Sequence, residues 1–263
     1  MENAGRDKLQ SELLNAIKNH ELILYYQPQY NLFTTKFEGV EALVRWHHPG
    51  RGLLLPEHFI PVAEESDLIS RIGEWVLKSA CSQLSAWMKK GLQPMRMAVN
   101  VAGRQLQQKN FVGLVEKTLH DFALKPDLLE LEINEKVIIR QEDKQVIQTL
   151  NRLHAMGVKI ALDDFGTGFT SIGNLKKLPI DTIKIDRTFI NNISINQEDA
   201  AIVRALITLA HSLNLQVIAE GVETLKQLQS LSSKKSIGIQ GFYISEALPV
   251  EELEKFLQLY QNR

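Results

Sequence analysis

Short apolar runs alternate with longer helical stretches along the whole chain. Between several of these runs, apolar residues recur every three or four positions, as at Ile72, Val76, Ala80 and Leu84, and this spacing indicates amphipathic helices. The strand-like runs are residues 22–30, 39–46, 95–101, 128–133, 158–162, 182–185, 215–219 and 237–242. Eight strand runs separated by helices in 263 residues predict an α/β fold, a (β/α)8 TIM-like barrel that uses residues 1–263 as a single domain.

The first connection departs from this regular pattern. Only residues 31–38 separate the first two strand runs, which is too short for a crossover helix but long enough for a hairpin. We therefore expect the first strand to be antiparallel to the second. A leading helix over residues 8–19 is expected to pack beside the barrel, and residues 250–260 are expected to form a final amphipathic helix.

Charge and cysteine content restrict the function classes. The 30 Lys and Arg residues nearly balance 31 Asp and Glu residues, and the formal net charge of −1 argues against binding of a nucleic acid polymer. A single cysteine cannot form an internal disulfide, so a secreted disulfide scaffold is excluded. The first residues lack the apolar core of a signal peptide, and no apolar run approaches the roughly 18 residues of a membrane span. These features predict a cytoplasmic chain without membrane insertion.

Polar residues stand at the ends of the predicted strands, where a barrel of this class places its active site. These strand-end residues are Glu41, Arg45, Asn100, Glu132, Glu135, Asp163, Asp164, Lys184, Asp186, Glu220 and Gln240. Carboxylates that meet at one rim repel each other unless cations lie between them. Carboxylate and amide oxygens suit Mg²⁺ or Mn²⁺, and the adjacent pair Asp163 and Asp164 suits a bridged two-metal centre.

An ordered set of motifs also resembles a known family. Over about residues 9–259 the chain is similar to EAL domains, the bacterial phosphodiesterases of cyclic di-GMP. The matching segments are Tyr-Tyr-Gln-Pro at 25–28, Glu-Ala-Leu at 41–43, Asn-Val at 100–101, Leu-Glu-Ile-Asn-Glu at 131–135, Asp-Asp-Phe-Gly-Thr-Gly at 163–168, Lys-Ile-Asp at 184–186, Ala-Glu-Gly-Val-Glu at 219–223 and Gln-Gly-Phe at 240–242. One departure is Asn134, where the family usually has Thr.

The resemblance implies a role for each matching residue. It implies that two Mg²⁺ or Mn²⁺ ions are bound by Glu41, Asn100, Glu132, Asp163, Asp164 and Glu220. Ca²⁺ is expected to inhibit, because it is larger and tolerates looser geometry. Glu41, Lys184 and Glu220 would be catalytic, with Lys184 and Glu220 at the attacking water and Glu220 acting either as base or as a further metal ligand. Substrate would contact Gln27, Leu43, Arg45, Asp164, Asp186 and Gln240. Glu135 would hold the loop at residues 165–171 in its active shape.

The implied reaction opens cyclic di-GMP to linear pGpG by attack of a water that two metal ions activate. The resemblance also implies that the chain can form a homodimer. Two alternatives remain from the residues. One is a receptor or interaction module that binds cyclic di-GMP without turnover, which would be expected to lose metal-site carboxylates. The other is a metal-dependent lyase or isomerase barrel, which would leave the motifs at Gln27 and Gln240 unexplained.

Overall fold

The chain folds into a closed eight-stranded barrel surrounded by helices. The computed structural model describes residues 2–92, 95–139, 144–168, 172–232 and 237–261. In this part of the chain, the strands are β1 (Leu22–Asn31), β2 (Lys36–His48), β3 (Gly52–Leu54), β4 (Arg96–Asn100), β5 (Leu129–Asn134), β6 (Lys159–Phe165), β7 (Thr182–Ile185), β8 (Gln216–Ala219) and β9 (Ile237–Ile239). The predicted barrel fold is confirmed.

Strand order and direction follow the prediction for the first hairpin. The sheet order is β1-β9-β8-β7-β6-β5-β4-β2-β3, and an additional β1–β2 pairing closes it. β1 is antiparallel to both β2 and β9, whereas the pairs from β2–β4 through to β8–β9 are parallel. β1 matches β2 over its whole length but β9 at only two register positions, Tyr30 with Ile239 and Asn31 with Gly238. The short edge strand β3, which pairs with β2, was not predicted.

Twelve α-helices in the described residues connect and surround the strands. They are α1 (Glu2–Lys18), α2 (Ile60–Glu64), α3 (Leu68–Lys89), α4 (Gly103–Leu106), α5 (Phe111–Asp121), α6 (Glu135–Ile139), α7 (Lys144–Ala155), α8 (Ile172–Leu175), α9 (Arg187–Asn191), α10 (Gln197–Ser212), α11 (Leu225–Ser232) and α12 (Val250–Gln261). Within the described ranges, none of these helices combines the length and apolar composition needed to cross a bilayer.

The apolar core lies mainly between the outer face of the sheet and the helices. On β4, Met97 and Val99 are buried against the helical layer, while Arg96, Ala98 and Asn100 occupy the alternate positions. Because successive strand residues point to opposite faces, the alternate set faces the barrel interior. This alternation leaves an interior rich in polar side chains, and the candidate site is built from them.

Candidate active site

The predicted site residues occupy one end of the barrel. Most lie at or just after the C-terminal ends of parallel strands: Asn100 ends β4, Glu220 directly follows β8 and Gln240 directly follows β9. Glu132 and Lys184 lie within β5 and β7, close to the ends of those strands. β1 runs in the opposite direction, so its central residue Gln27 pairs with Glu41 of β2 at the same level.

Lys184 lies at the centre of this end of the barrel and is almost fully buried, with 1% of its side chain exposed. Its Nζ atom is surrounded by the carboxylates of four different strands or strand ends. The distances are 2.7 Å to Glu132 Oε2, 2.8 Å to Glu220 Oε1, 3.2 Å to Glu41 Oε2 and 3.4 Å to Asp163 Oδ1. One ammonium therefore faces four carboxylates, and the cluster carries an excess of negative charge when all are ionised.

The pKa values of the cluster reflect burial and this crowding of acids. Burial lowers the pKa of Lys184, but the charges of the surrounding carboxylates outweigh burial and hold that pKa well above its ordinary value. Burial and the Glu41 charge raise the pKa of Glu132 well above its ordinary value. Burial, with the charges of Asp163 and Glu41, raises the pKa of Glu220 to about 8 against the opposing effect of Lys184. Two of the acids therefore hold protons unusually strongly.

Glu41 behaves differently because it has more donors. Burial acts to raise its pKa, but the Lys184 charge and hydrogen bonds from two amides outweigh burial, so the pKa of Glu41 lies below its ordinary value. Asn100 Nδ2 donates to Glu41 Oε1 at 2.6 Å, and Gln240 Nε2 donates to Glu41 Oε2 at 2.6 Å. Gln240 Nε2 also donates to Gln27 Oε1 at 2.9 Å. The structure thus brings together Glu41, Asn100, Gln240 and Gln27 as one hydrogen-bonded group.

A backbone irregularity brings two consecutive aspartates to the site. The β6–β7 register shifts between Leu162 and Phe165, and Asp164 adopts a left-handed backbone with a φ of 54°. Successive strand residues normally point to opposite faces, but such a bulge re-aims a side chain. Carboxylate oxygens of Asp163, Asp164 and Glu220 consequently lie within 4.8 Å of one another. Burial and the Asp163 charge raise the pKa of Asp164 to about 6.

Hydrogen bonds from neighbouring elements hold the Asp164 region. Asn134 Nδ2 donates to Asp164 Oδ2, and Asn134 Oδ1 accepts from the backbone N–H of Lys136 at 3.0 Å in the first turn of α6. Asp186 is the N-cap of α9, and its Oδ1 accepts from the Thr188 backbone N–H at 2.8 Å. The sequence marked Asn134 only as a departure from the family pattern, and its contact with Asp164 was not predicted.

Glu135 connects α6 to the glycine-containing loop after β6. Its carboxylate is buried, and Oε2 accepts from the backbone N–H groups of Gly166 at 3.1 Å and Gly168 at 2.9 Å. Gly166 has a φ of 99°, a conformation that glycine adopts without strain. The described part of the loop therefore rests on Glu135; residues 169–171 of the predicted loop lie outside the described residues.

Leu43 and Arg45 extend from the site along β2. Both are half-buried. The Arg45 guanidinium carbon lies 5.6 Å from the centre of the Tyr25 ring on the paired strand β1, and Arg45 Nη1 donates to the carbonyl of Val44. This stacking places a cation beside an aromatic ring at the rim, next to the acid cluster rather than inside it.

The donor set suits hard divalent cations. All the acids offer carboxylate oxygens, and Asn100, whose nitrogen donates to Glu41, adds an amide oxygen. Among the described residues, Glu132 Oε1 and Asp163 Oδ1 are buried without a hydrogen-bond partner. Native interiors rarely leave such atoms without a partner. Asp163 Oδ1 does form an ion pair with Lys184 Nζ at 3.4 Å, but buried carboxylate oxygens without a hydrogen bond in an acid-rich cluster fit metal ligation.

Comparison with known proteins matches this architecture to one family. The EAL domain family model matches residues 10–247. The chain belongs to the EAL domain family. It is 41% identical over 246 residues to the bifunctional diguanylate cyclase/cyclic di-GMP phosphodiesterase MucR of Pseudomonas aeruginosa, and 39% identical over 254 residues to the cyclic di-GMP phosphodiesterase NbdA of the same organism.

These matches cover nearly all of this EAL domain but a minor part of each relative. They include 94% and 97% of this chain, but 36% and 32% of MucR and NbdA, so the chain spans about a third of their length. A solved structure described as the PaMucR phosphodiesterase in complex with c-di-GMP covers 94% of this chain and 99% of its own, with 41% identity and a TM-score of 0.89. The EAL barrel of this chain is therefore close to a structure that holds c-di-GMP.

Proposed function

We propose that this EAL domain hydrolyses cyclic di-GMP to linear pGpG in a reaction that depends on divalent metal ions. The observation that carries the proposal is the complete set of acids around Lys184, joined by Gln240 and Asn100, at the end of a barrel of the phosphodiesterase family. A receptor that no longer needs turnover has no requirement for this whole set. The lyase or isomerase alternative has no support in the family match.

The acid cluster has two parts that suit two Mg²⁺ or Mn²⁺ ions. Glu41, Asn100, Glu132 and Asp163 would hold one ion, and Asp163 with Asp164 the other, with Glu220 available to either the metal or the water. When bound, the two ions would supply Lewis-acid charge and lower the pKa of the attacking water. Ca²⁺ is larger and tolerates looser geometry, so we expect it to inhibit.

The protein residues supply positioning and charge. In the proposed reaction, the oxygen of a water forms a bond to phosphorus and one phosphorus–oxygen ester bond breaks. The released sugar oxygen takes up a proton equivalent to the one that the water loses and ends as a hydroxyl group. Lys184 provides a fixed positive charge beside the reacting phosphodiester. Glu220 lies 2.8 Å from Lys184 Nζ with 19% of its side chain exposed, and in its ionised form it would receive the proton that the water gives up.

The substrate contacts follow from the same end of the barrel. Gln27, Gln240 and Leu43 line the side formed by β1, β2 and β9, while Arg45 lies further out beside Tyr25. We propose that Arg45 meets a phosphate or guanine edge and that Gln27 and Gln240 order the substrate. Asp164 and Asp186 would contact it from β6 and the start of α9.

The decisive experiment is a turnover assay with product identification. Purified protein is incubated with cyclic di-GMP and Mg²⁺ or Mn²⁺, and the products are separated by chromatography. Formation of pGpG that EDTA abolishes is the expected result. The Glu41→Gln variant should reduce turnover at least about 100-fold with the fold retained, whereas Glu251→Gln, on the surface helix α12, should not. Tight binding of cyclic di-GMP without turnover in either metal would favour the receptor instead.

A further inference from the structure

The barrel interior contains a second group of polar side chains below the acid cluster. Glu130 precedes Glu132 by two residues on β5, and Thr182 precedes Lys184 by two residues on β7. Gln29 follows Gln27 by two residues on the antiparallel strand β1. Since alternate strand residues share a face, these side chains point into the barrel on the side away from the rim. We call Gln29, Glu130 and Thr182 the lower layer.

The lower layer is buried, and several of its polar atoms lack hydrogen-bond partners among the described residues. Its three residues are 4%, 1% and 0% exposed, in the order given. Both carboxylate oxygens of Glu130, Oε1 of Gln29 and Oγ1 of Thr182 have no hydrogen-bond partner among the described residues. Arg96 Nη1 forms an ion pair with Glu130 Oε2 at 3.3 Å, which balances the charge of Glu130 but does not provide a hydrogen bond. Buried polar atoms of this kind are normally paired with protein groups or ordered water.

A small cavity adjoins Gln29 of the lower layer and Arg96, the ion-pair partner of Glu130. It has a volume of about 40 Å³ and lies at the N-terminal end of the parallel strands, with Gln29, Arg96, Gln216 and Gly238 among its lining residues. One buried water needs about 10–15 Å³ of such volume, so two or three waters fit. A bound cation is disfavoured, because the Arg96 guanidinium already supplies the positive charge that Glu130 needs.

Gln29 connects this cavity to the acid cluster. Gln29 Nε2 donates to Gln240 Oε1 at 3.1 Å. An amide has one acceptor oxygen and one donor nitrogen, so this bond directs the Gln240 nitrogen toward Glu41 Oε2 and Gln27 Oε1. Gly39 makes room for Gln29, because a Cβ at that position would lie 2.4 Å from Gln29 Oε1.

We propose that two or three ordered waters occupy the cavity, hydrogen-bond to the Gln29 side-chain carbonyl, and thereby hold Gln29 in the orientation that makes Gln240 donate to Glu41. Gln29 is then a positioning residue for a metal-site carboxylate that it does not touch. The hydration itself is independent of the proposed function, while its effect on metal binding rests on that function.

The first test is direct observation of the waters. A crystal structure at about 1.5 Å or better should show ordered water in the cavity within hydrogen-bond distance of Gln29 Oε1. A dry cavity would overturn the proposal, and so would density with the coordination of a cation.

The second test removes the hydrogen-bond donor of Gln29 while keeping the size of its side chain. Gln29→Glu keeps the shape and the acceptor oxygens but cannot donate to Gln240, so Gln240 should turn its nitrogen away from Glu41. The side-chain amide NMR signals of Gln240, assigned by their loss in Gln240→Glu, should shift in this variant. The matched control is Gln227→Glu, which also removes one donor from a buried glutamine, toward the carbonyl of Asn191. Unchanged Gln240 signals in Gln29→Glu would refute the positioning role.

Binding of Mn²⁺ alone gives a third measurement. We expect Gln29→Glu to weaken Mn²⁺ binding about tenfold in a titration followed by electron paramagnetic resonance, and Gln227→Glu to leave it unchanged. Equal affinity in Gln29→Glu and wild type would contradict the link from the lower layer to Glu41. If wild type binds no Mn²⁺, the proposed metal site fails, while the crystal structure and the NMR signals still decide the hydration and the orientation of Gln240.

Discussion

Among the described residues, Lys184 is the one whose charge compensates the acid cluster when no metal ion is bound. Its ammonium is the positive group among four buried or half-buried carboxylates. Removing one partner of a buried ion pair leaves the other charges uncompensated, which costs about 3–5 kcal/mol. The same site that is proposed to bind metal ions therefore depends on a lysine for its stability when they are absent.

The first prediction concerns Lys184→Met. Without added metal, we expect the thermal midpoint to fall by roughly 6–20 °C, from the cost of a broken buried ion pair and the usual scaling of Tm. Mn²⁺ should raise the midpoint more in the variant than in wild type, since the ion replaces the missing charge. Calorimetry with and without Mn²⁺ measures both effects. The control is Lys78→Met, which removes an exposed ion pair with Glu74 and should change the thermal midpoint little. Equal midpoints for wild type and the two variants would contradict the role of Lys184.

The second prediction concerns the single cysteine. Cys81 lies on α3 with no exposed surface, and burial raises the pKa of its thiol to about 12. Because the thiolate is the reactive form, the native protein should not react with a disulfide reagent such as DTNB over minutes. Denaturant should release one equivalent of thiol. Rapid reaction of the folded protein would show that α3 opens readily.

Much of the site was predictable residue by residue, and the parts that were not have a common cause. Polar residues at strand ends are visible in the sequence because they interrupt apolar runs, as Glu132 and Lys184 do. The adjacency of Asp163 and Asp164 suggested a shared site, but the bulge that turns both toward it is a backbone feature with no sequence signature of its own. The lower layer did have a signal, since Gln29 and Glu130 repeat the polar spacing of Gln27 and Glu132 two residues away.

At the scale of elements, Glu135 couples α6 to the loop after β6 without lying in the acid cluster. The third prediction is that Glu135→Ala lowers turnover about tenfold, because two backbone N–H groups of the loop lose their acceptor. Mn²⁺ affinity should stay near the wild-type value. Glu135→Gln keeps an acceptor oxygen and should lose less. Turnover assays and Mn²⁺ titration together check this, and a large loss of Mn²⁺ affinity would assign Glu135 to metal binding instead.

The fourth prediction concerns the turn that follows β9. Gly241 has a φ of 150°, and a Cβ there would lie 2.4 Å from the backbone N and O atoms of Val222. Backbone atoms cannot move aside as a flexible side chain can, so Gly241→Ala should lower the thermal midpoint by at least about 5 °C. Gly113→Ala is the matched control, because a Cβ at that position in α5 meets no atom within 4 Å and alanine favours helix. Equal midpoints for the two variants would contradict the assigned contact.

The elements also show where the sequence pattern was insufficient. The hairpin of β1 and β2 was predictable because residues 31–38 cannot contain a crossover helix. β3 was missed because its three residues, Gly52–Leu54, are too few to show an alternating pattern. β6 extends to Phe165, beyond the predicted end at Leu162. The prediction stopped early because Asp163 and Asp164 interrupt the apolar run near the end of the strand. The hydrophobic pattern therefore misplaces the end of a strand where polar residues of the candidate site occupy it.

For the whole molecule, the described residues place one acid-rich site at one end of one barrel. The near-zero net charge therefore conceals a local excess of acid, because four carboxylates surround the single ammonium of Lys184 at this end of the barrel. A single domain over residues 1–263, a homodimer and a cytoplasmic location stay predictions. Sedimentation of the purified chain with and without cyclic di-GMP measures its oligomeric state.

The unequal pairing of β1 has a consequence for how the barrel opens. β1 meets β9 at two register positions, and the side chains of Gln29, Gln27 and Gln240 cross the same boundary. Local unfolding begins where the fewest backbone hydrogen bonds must break.

The fifth prediction is that the amides of Ile237–Ile239 exchange with deuterium faster than those of the central strand β5. Hydrogen exchange followed by mass spectrometry measures this, and equal protection of the two strands would exclude such an opening. Gln27, Gln29 and Gln240 connect β1 to the end of β9, and Gln240 also donates to Glu41. Local opening at this boundary would therefore disrupt the site before the rest of the protein unfolds.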